Sequence, residues 1–119
     1  MSTRVVTSYY DSGEKASEHE EANGILSGHV RRWHQNGQLF VEAEYKDGLA
    51  HGVSQQWTES GIQTLFCIRK KGNLHGKYQS WWDDGVPKEE GIFLDGVRQP
   101  GYRWYKTDGT LWKELQTES

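Results

Sequence analysis

The chain has 119 residues and a formal net charge of −3, and only 34% of its residues are hydrophobic although it holds 14 glycines and 6 tryptophans. This length fits one domain, but the composition excludes a thick aliphatic core, and the single cysteine excludes an internal disulfide framework and any multi-cysteine zinc site. The first residues lack the apolar core of a signal peptide and no apolar run approaches the roughly 20 residues that cross a bilayer, so we expect a cytoplasmic protein.

Two kinds of residue recur along the chain at a spacing of 24. The first is an aromatic residue with a glycine four positions later, and its copies are Tyr9, Trp33, Trp57, Trp81 and Tyr105. The second is another glycine, at Gly24, Gly48, Gly72 and Gly96. A fixed period of this size indicates stacked supersecondary units, so residues 1–119 are predicted to form one repeat domain. The repeats span approximately residues 5–28, 29–52, 53–76, 77–100 and 101–119.

The first repeat is the acidic part of the chain. Residues 1–28 contain two basic and five acidic side chains, a difference that equals the whole net charge of −3. An acidic surface suits a basic partner, so Glu18, Glu20 and Glu21 are candidate partner-binding residues. The alternative is a solvated face that only keeps the protein soluble.

The repeat that begins at His29 shows the local structure. Asn36-Gly37 is the commonest two-residue signal for a tight hairpin, because both positions tolerate positive φ. Residues 39–46 then alternate with a period of two, which is typical of an antiparallel strand, and Asp47-Gly48 is the next reversal. Each repeat is therefore predicted to be a β-hairpin.

The later repeats keep these turn signals, and their connections are too short for crossovers. The predicted fold class is all-β: a single-layer antiparallel meander of stacked 24-residue β-hairpins, with about ten short strands in a curved, solenoid-like sheet. Trp33, Trp57 and Trp81 are expected to form the packed spine on one face, with alternating charged residues on the other.

The histidines do not indicate a reactive site. His51 and His75 recur at the same position before a glycine, so they are interpreted as turn residues, and neither has a distinctive nucleophile or carboxylate beside it. The remaining histidines lack the spacing that zinc prefers. We predict no enzyme, no catalytic residue, no metal and no cofactor.

The C-terminal end of the array departs from the pattern. Pro100 stands where earlier repeats have His-Gly, and both a terminal cap and a plain turn residue are consistent with it. Trp82 and Trp104 lie next to the repeat's aromatic position and so face the other way. Surplus exposed aromatic residues beside Tyr102 and Arg103 are typical of a partner hot spot, and all four are candidate partner-binding residues. The alternative is that the tryptophans pack under the C-terminal tail.

The repeated residues resemble MORN-type repeats, and specifically the bacterial variant found in YwqK-like proteins. The pattern runs from Trp33 to Gly37 and from Asp47 to Gly52, then again from Trp57 to Gly61 and from Lys71 to Gly76; it covers roughly residues 9–115. The resemblance implies an antitoxin or immunity protein that binds a cognate toxin. Such a role agrees with the general use of repeat scaffolds as binding surfaces.

Three functions are therefore open. The first is an antitoxin for a basic toxin. The second is a scaffold at a membrane surface that uses the basic stretch of residues 69–77, and the third is an adaptor that forms a homodimer through its sheet edges. The net acidity disfavours acidic lipid and nucleic acid as the main ligand, so the first is preferred.

Overall fold

The computed structural model describes residues 2–117, which form one antiparallel sheet with extents of 52 × 33 × 13 Å. The strands are β1 (Thr3–Tyr9), β2 (Lys15–Ala22), β3 (Ile25–Trp33), β4 (Leu39–Lys46), β5 (Leu49–Trp57), β6 (Gln63–Lys70), β7 (Asn73–Trp81), β8 (Pro87–Leu94), β9 (Val97–Arg98), β10 (Arg103–Tyr105) and β11 (Leu111–Glu114). They pair in chain order, except that β9 and β10 both pair with β8. The predicted all-β meander is confirmed, with eleven strands rather than about ten.

Tight two-residue turns join β2 to β3, β4 to β5, β6 to β7 and β8 to β9. In the second of these, Asp47 and Gly48 have φ angles of 52° and 83°, and the equivalent pairs have nearly the same values. Positive φ at both central residues defines the type I′ turn, whose twist matches that of the flanking strands. The predicted reversal at Asp47-Gly48 is confirmed.

Asn36-Gly37 closes a wider loop than predicted. Gly37 has a φ of 88° but Asn36 is not among the residues with positive φ, and the loop runs from His34 to Gln38, whose backbone N and O atoms are 2.8 Å apart. The prediction of a two-residue turn was wrong because β4 carries an extra residue, Phe40, where the register shifts beside the loop. Such a bulge widens the hairpin and redirects a side chain. Equivalent bulge residues occur in the other repeats: Ala16, Thr64, Lys88 and Trp112.

The buried side chains lie on one face of the sheet. Ser54 pairs with both Ala43 and Cys67, and Cys67 also pairs with Tyr78, so these four residues share a face. We call this the core face, and the opposite one the outer face. Ala43 is 6% exposed and Cys67 is 0% exposed. Burial raises the pKa of the Cys67 thiol.

The core face is closed at its C-terminal end by Tyr102. Residues 99–102 separate β9 from β10, and Pro100 lies in this break, where it has no ladder hydrogen bond to donate. The break lets Tyr102 fold over Gly91, at which an added Cβ would lie 2.9 Å from Tyr102 Cα. Tyr102 is 0% exposed. Pro100 is therefore a turn residue within the sheet, and Gly91 is required by the close approach of Tyr102.

The repeated tryptophans do not form the buried spine. Trp33, Trp57 and Trp81 are half-buried at strand ends, and Trp33 shares its surroundings with charged groups. Lys15 Nζ lies 5.3 Å from the Trp33 ring centroid and 3.2 Å from the Glu18 carboxylate. The predicted separation into a tryptophan face and a charged face was wrong. A single layer has no second layer to cover an indole, so small residues and rings that pack on one another are buried instead.

Candidate protein-binding groove

The acidic residues of the first repeat do not form one patch. Glu18 pairs with Thr7 and Glu21 with Arg4; because Arg4 and Thr7 are three positions apart on one strand, Glu18 and Glu21 lie on opposite faces. Glu21 accepts a hydrogen bond from Arg4 Nε at 3.2 Å and lies 2.8 Å from a ring nitrogen of His19. The hydrogen bond with His19 is the main reason that the pKa of Glu21 is lowered.

Glu18 and Glu20 both contact His29. Its Nε2 lies 3.0 Å from Glu18 and its Nδ1 lies 3.1 Å from Glu20. The hydrogen bond with His29, followed by that with Lys15, lowers the pKa of Glu18. All three predicted acidic residues are therefore already engaged within the chain, and they are divided between the two faces.

Tyr102 supports the C-terminal aromatic residues from beneath. Its ring centroid lies 4.8 Å from that of Trp104, and its hydroxyl donates a hydrogen bond to Glu89 at 2.9 Å. Burial, reinforced by the Glu89 hydrogen bond, raises the pKa of the Tyr102 phenol. Because the Tyr102 side chain is fully buried, it supports Trp104 and offers no exposed side-chain surface of its own.

Arg103 belongs to the outer face. It neighbours Trp104 in β10, and adjacent residues of a strand point to opposite faces. Its Nε lies 3.0 Å from Glu114, and its Nη1 lies 4.0 Å from Glu90. The structure therefore separates Arg103 from the tryptophans with which the sequence grouped it.

Trp82 and Trp104 come together on the core face. Trp104 pairs with Glu89, and Glu89 pairs with Ser80. Ser80 is two positions from Tyr78 on the same strand, so Trp104 lies on the core face with Tyr78. With other side chains the two tryptophans line a groove of about 320 Å³, whose walls include Trp82, Lys88, Glu89, Trp104, Lys106 and Trp112. Trp112 is 62% exposed. The groove is an aromatic surface at the C-terminal end of the sheet.

Lysine ammonium groups lie over the indole rings of the groove. Lys88 Nζ is 4.6 Å from the centroid of Trp82, and Lys113 Nζ is 4.7 Å from Trp104 and 5.2 Å from Trp112. These distances are those of cation–π contacts, which hold the lysine stems against the rings. The groove is therefore both apolar and positively charged.

Two of the hairpins that build this sheet match a known repeat. Residues 26–47 and 74–95 match the MORN repeat variant. The chain therefore contains two MORN-type repeats. No curated protein matches it. In both matched segments a strand, a wide loop and a bulged strand follow one another, and the segments begin two 24-residue periods apart.

The residue at the bulge differs from one hairpin of this chain to the next, and this difference shapes the groove. In the last two hairpins the bulge residues are Lys88 and Trp112, both in the groove. The repeat therefore fixes the backbone while the bulge residue varies. Trp112 stands at the same position of its repeat as Phe40, Thr64 and Lys88, but the contribution of Lys88 and Lys113 was not predicted.

His51 and His75 each contact the turn of the next repeat. His51 Nδ1 accepts a hydrogen bond from the Lys71 backbone N–H at 3.3 Å, and His75 Nδ1 accepts one from Asp95 at 3.1 Å. Both donors are the first central residue of a type I′ turn, whereas His51 lies in β5 and His75 in β7. The histidines are therefore strand residues that hold the turn of the next repeat, which is a structural role. Within residues 2–117, no three His, Cys, Asp or Glu side chains converge to hold a metal. In the same part of the chain, no helix has the length and apolarity needed to span a membrane.

Proposed function

We propose that this chain is a protein-binding module that acts without catalysis, and more specifically an antitoxin or immunity protein that binds and neutralises a cognate toxin. The observation that carries the proposal is the groove that contains Trp82, Trp104 and Trp112. Clustered tryptophans backed by a rigid, buried layer are characteristic of interface hot spots. The antitoxin assignment adds the resemblance to YwqK-like proteins.

The groove is a better candidate contact than the acidic residues of the first repeat. Glu18 and Glu21 are held by His29 and His19, so a basic partner would have to displace these contacts before it gained its own. The tryptophans need no such exchange, because Trp112 already presents its ring to solvent. We therefore move the proposed interface from the acidic end of the sheet to the aromatic end.

The second candidate is an adaptor that associates with itself through the edge of the sheet. In the described part of the chain, β1 has a partner strand on one side alone, and Val5 and Tyr9 on it are largely exposed. An edge strand with free backbone groups can pair with a second chain. This candidate uses the opposite end of the molecule, so one experiment separates the two.

The test is affinity capture of the tagged chain from the cells that produce it, followed by mass spectrometry. Trp112→Ala is compared with Tyr9→Ala, a matched control because Tyr9 is 63% exposed at the other end of the sheet. We expect one stoichiometric protein partner that is toxic when expressed alone, and that is lost with Trp112→Ala but retained with Tyr9→Ala. Recovery of only the chain itself, lost with Tyr9→Ala, would support the adaptor, and recovery of lipid would overturn both.

A further inference from the structure

We propose that the groove binds an acidic segment of the partner protein, in which carboxylates flank one apolar or aromatic side chain. This inference rests on the proposed function, because it names the chemistry of the partner at the same groove. It differs from the basic partner that the acidic first repeat predicted.

The charges around the groove are unbalanced. Three lysines surround it, at Lys88, Lys106 and Lys113, and none of them forms an ion pair with an acidic residue in the described part of the chain. The acidic residue in its wall is Glu89, whose carboxylate already accepts a hydrogen bond from the Tyr102 hydroxyl and lies 3.5 Å from the Arg98 guanidinium. A bound carboxylate would therefore meet, at Lys88 and Lys113, positive charge that no ion pair of the described residues neutralises.

The lysines also exclude a cationic ligand. An open cluster of indole rings attracts ammonium groups, but Lys88 already lies over Trp82 and Lys113 lies over both Trp104 and Trp112. A lysine or arginine from a partner would meet these like charges at close range. The groove thus selects against basic segments and favours acidic ones.

The size of the groove limits what enters it. A volume of about 320 Å³ is near the lower end of the roughly 300–1,000 Å³ that small-molecule sites occupy. It suits one large side chain on an extended segment, stacked on the exposed ring of Trp112, with its neighbours at the lysines. An isolated acidic residue would leave the indole rings unused.

Nucleic acid also combines negative charge with stacking bases, but the surrounding surface disfavours it. A strand of nucleic acid needs a continuous positive track beyond the stacking site. Here the next positive group is Arg98, which lies 5.5 Å from the Trp104 ring centroid but is already 3.5 Å from Glu89. Arg103 is paired with Glu114 and Glu90 on the outer face, and the whole chain carries −3. A short acidic peptide needs only the groove.

The test is selection from a phage-displayed library of random linear peptides against the intact protein. We expect the selected peptides to carry Asp or Glu on both sides of Phe, Leu or Trp. Fluorescence anisotropy should show binding that weakens with added salt and falls by about tenfold or more in the double variant Lys88→Gln, Lys113→Gln. Lys70→Gln is the matched control, since Lys70 is an exposed lysine outside the groove, and circular dichroism confirms that each variant is folded.

Other outcomes would overturn the inference. The inference fails if the selected peptides are neutral or basic, or if no peptide is selected more strongly by the native protein than by the Trp112→Ala variant. It also fails if the lysine substitutions leave peptide binding unchanged. Binding of a thymidine oligonucleotide in preference to every peptide would assign the groove to nucleic acid. If the cellular partner depends on Trp112 but not on the lysines, the proposed function stands and this inference fails. If acidic peptides bind but no cellular partner is captured, the preference of the groove for acidic segments stands and the proposed function fails.

Discussion

Gly91→Ala tests the packing that supports the groove. The added methyl would lie 2.9 Å from Tyr102 Cα and also 2.9 Å from its Cγ, so a backbone atom has to move and not only a flexible side chain. Overpacking of this kind costs about 1–3 kcal/mol. With an unfolding entropy of about 2.1 cal/mol/K per residue over 119 residues, 2 kcal/mol corresponds to a melting temperature lower by about 8 °C.

The assay is thermal unfolding followed by circular dichroism in a double-mutant cycle with Tyr102→Ala. Tyr102→Ala alone should destabilise the sheet by about 3 kcal/mol or more, because it removes a fully buried ring. In that background Gly91→Ala should cost less than in the native chain, since the obstructing ring atoms Cγ and Cδ2 are gone and only the contact with the Cα of residue 102 remains. Equal costs of Gly91→Ala in the two backgrounds would refute the close packing of Tyr102 on Gly91.

Three further predictions concern other parts of the sheet. The pKa of Glu18 lies below its ordinary value of 4.5, so its contribution to stability is present above that pH and is lost as the pH falls through the folded pKa. Glu18→Gln should therefore make the melting temperature less dependent on pH between about pH 5 and 3. An unchanged dependence on pH would contradict the His29 contact. His51→Ala and His75→Ala should each cost about 0.5–1.5 kcal/mol in urea unfolding, and the two costs should add in the double variant because each histidine bonds a different turn; strong coupling would argue against separate roles. Cys67 should react with a thiol reagent such as DTNB only as fast as the protein unfolds, since the thiol is buried and its pKa is raised; rapid labelling of the native protein would show an accessible sulfur.

The fold was predictable because its signals are local and repeated. Asp47-Gly48 and its equivalents combine turn chemistry with alternating strands, and the 24-residue step makes each repeat confirm the others. The loop at Asn36-Gly37 was harder, because the extra residue Phe40 has no composition that marks a bulge. Its presence depends on the register with the neighbouring strand, which a turn dipeptide does not encode.

The candidate site was only partly predictable. Trp82 and Trp104 could be recognised by their place beside the repeated aromatic position, and the structure brings them together. The sequence did not show that Tyr102 is buried while Arg103 lies on the outer face, because the strand break at Pro100 decides which residue turns inward. The lysines were missed because a surface lysine is ordinary in sequence, and its value here comes only from the ring beneath it.

The ladder of strands also determines how far any event at the groove can travel. From β1 to β8 each strand contacts its sequence neighbours, and the groove lies on β8, β10, β11 and the loops between them. Energy in such an array is shared chiefly between adjacent units. A partner bound at the C-terminal end should therefore slow amide hydrogen exchange there and leave the exchange rates of β1 to β3 unchanged. The effect of binding should decrease from strand to strand along the sheet and not switch the whole molecule at once.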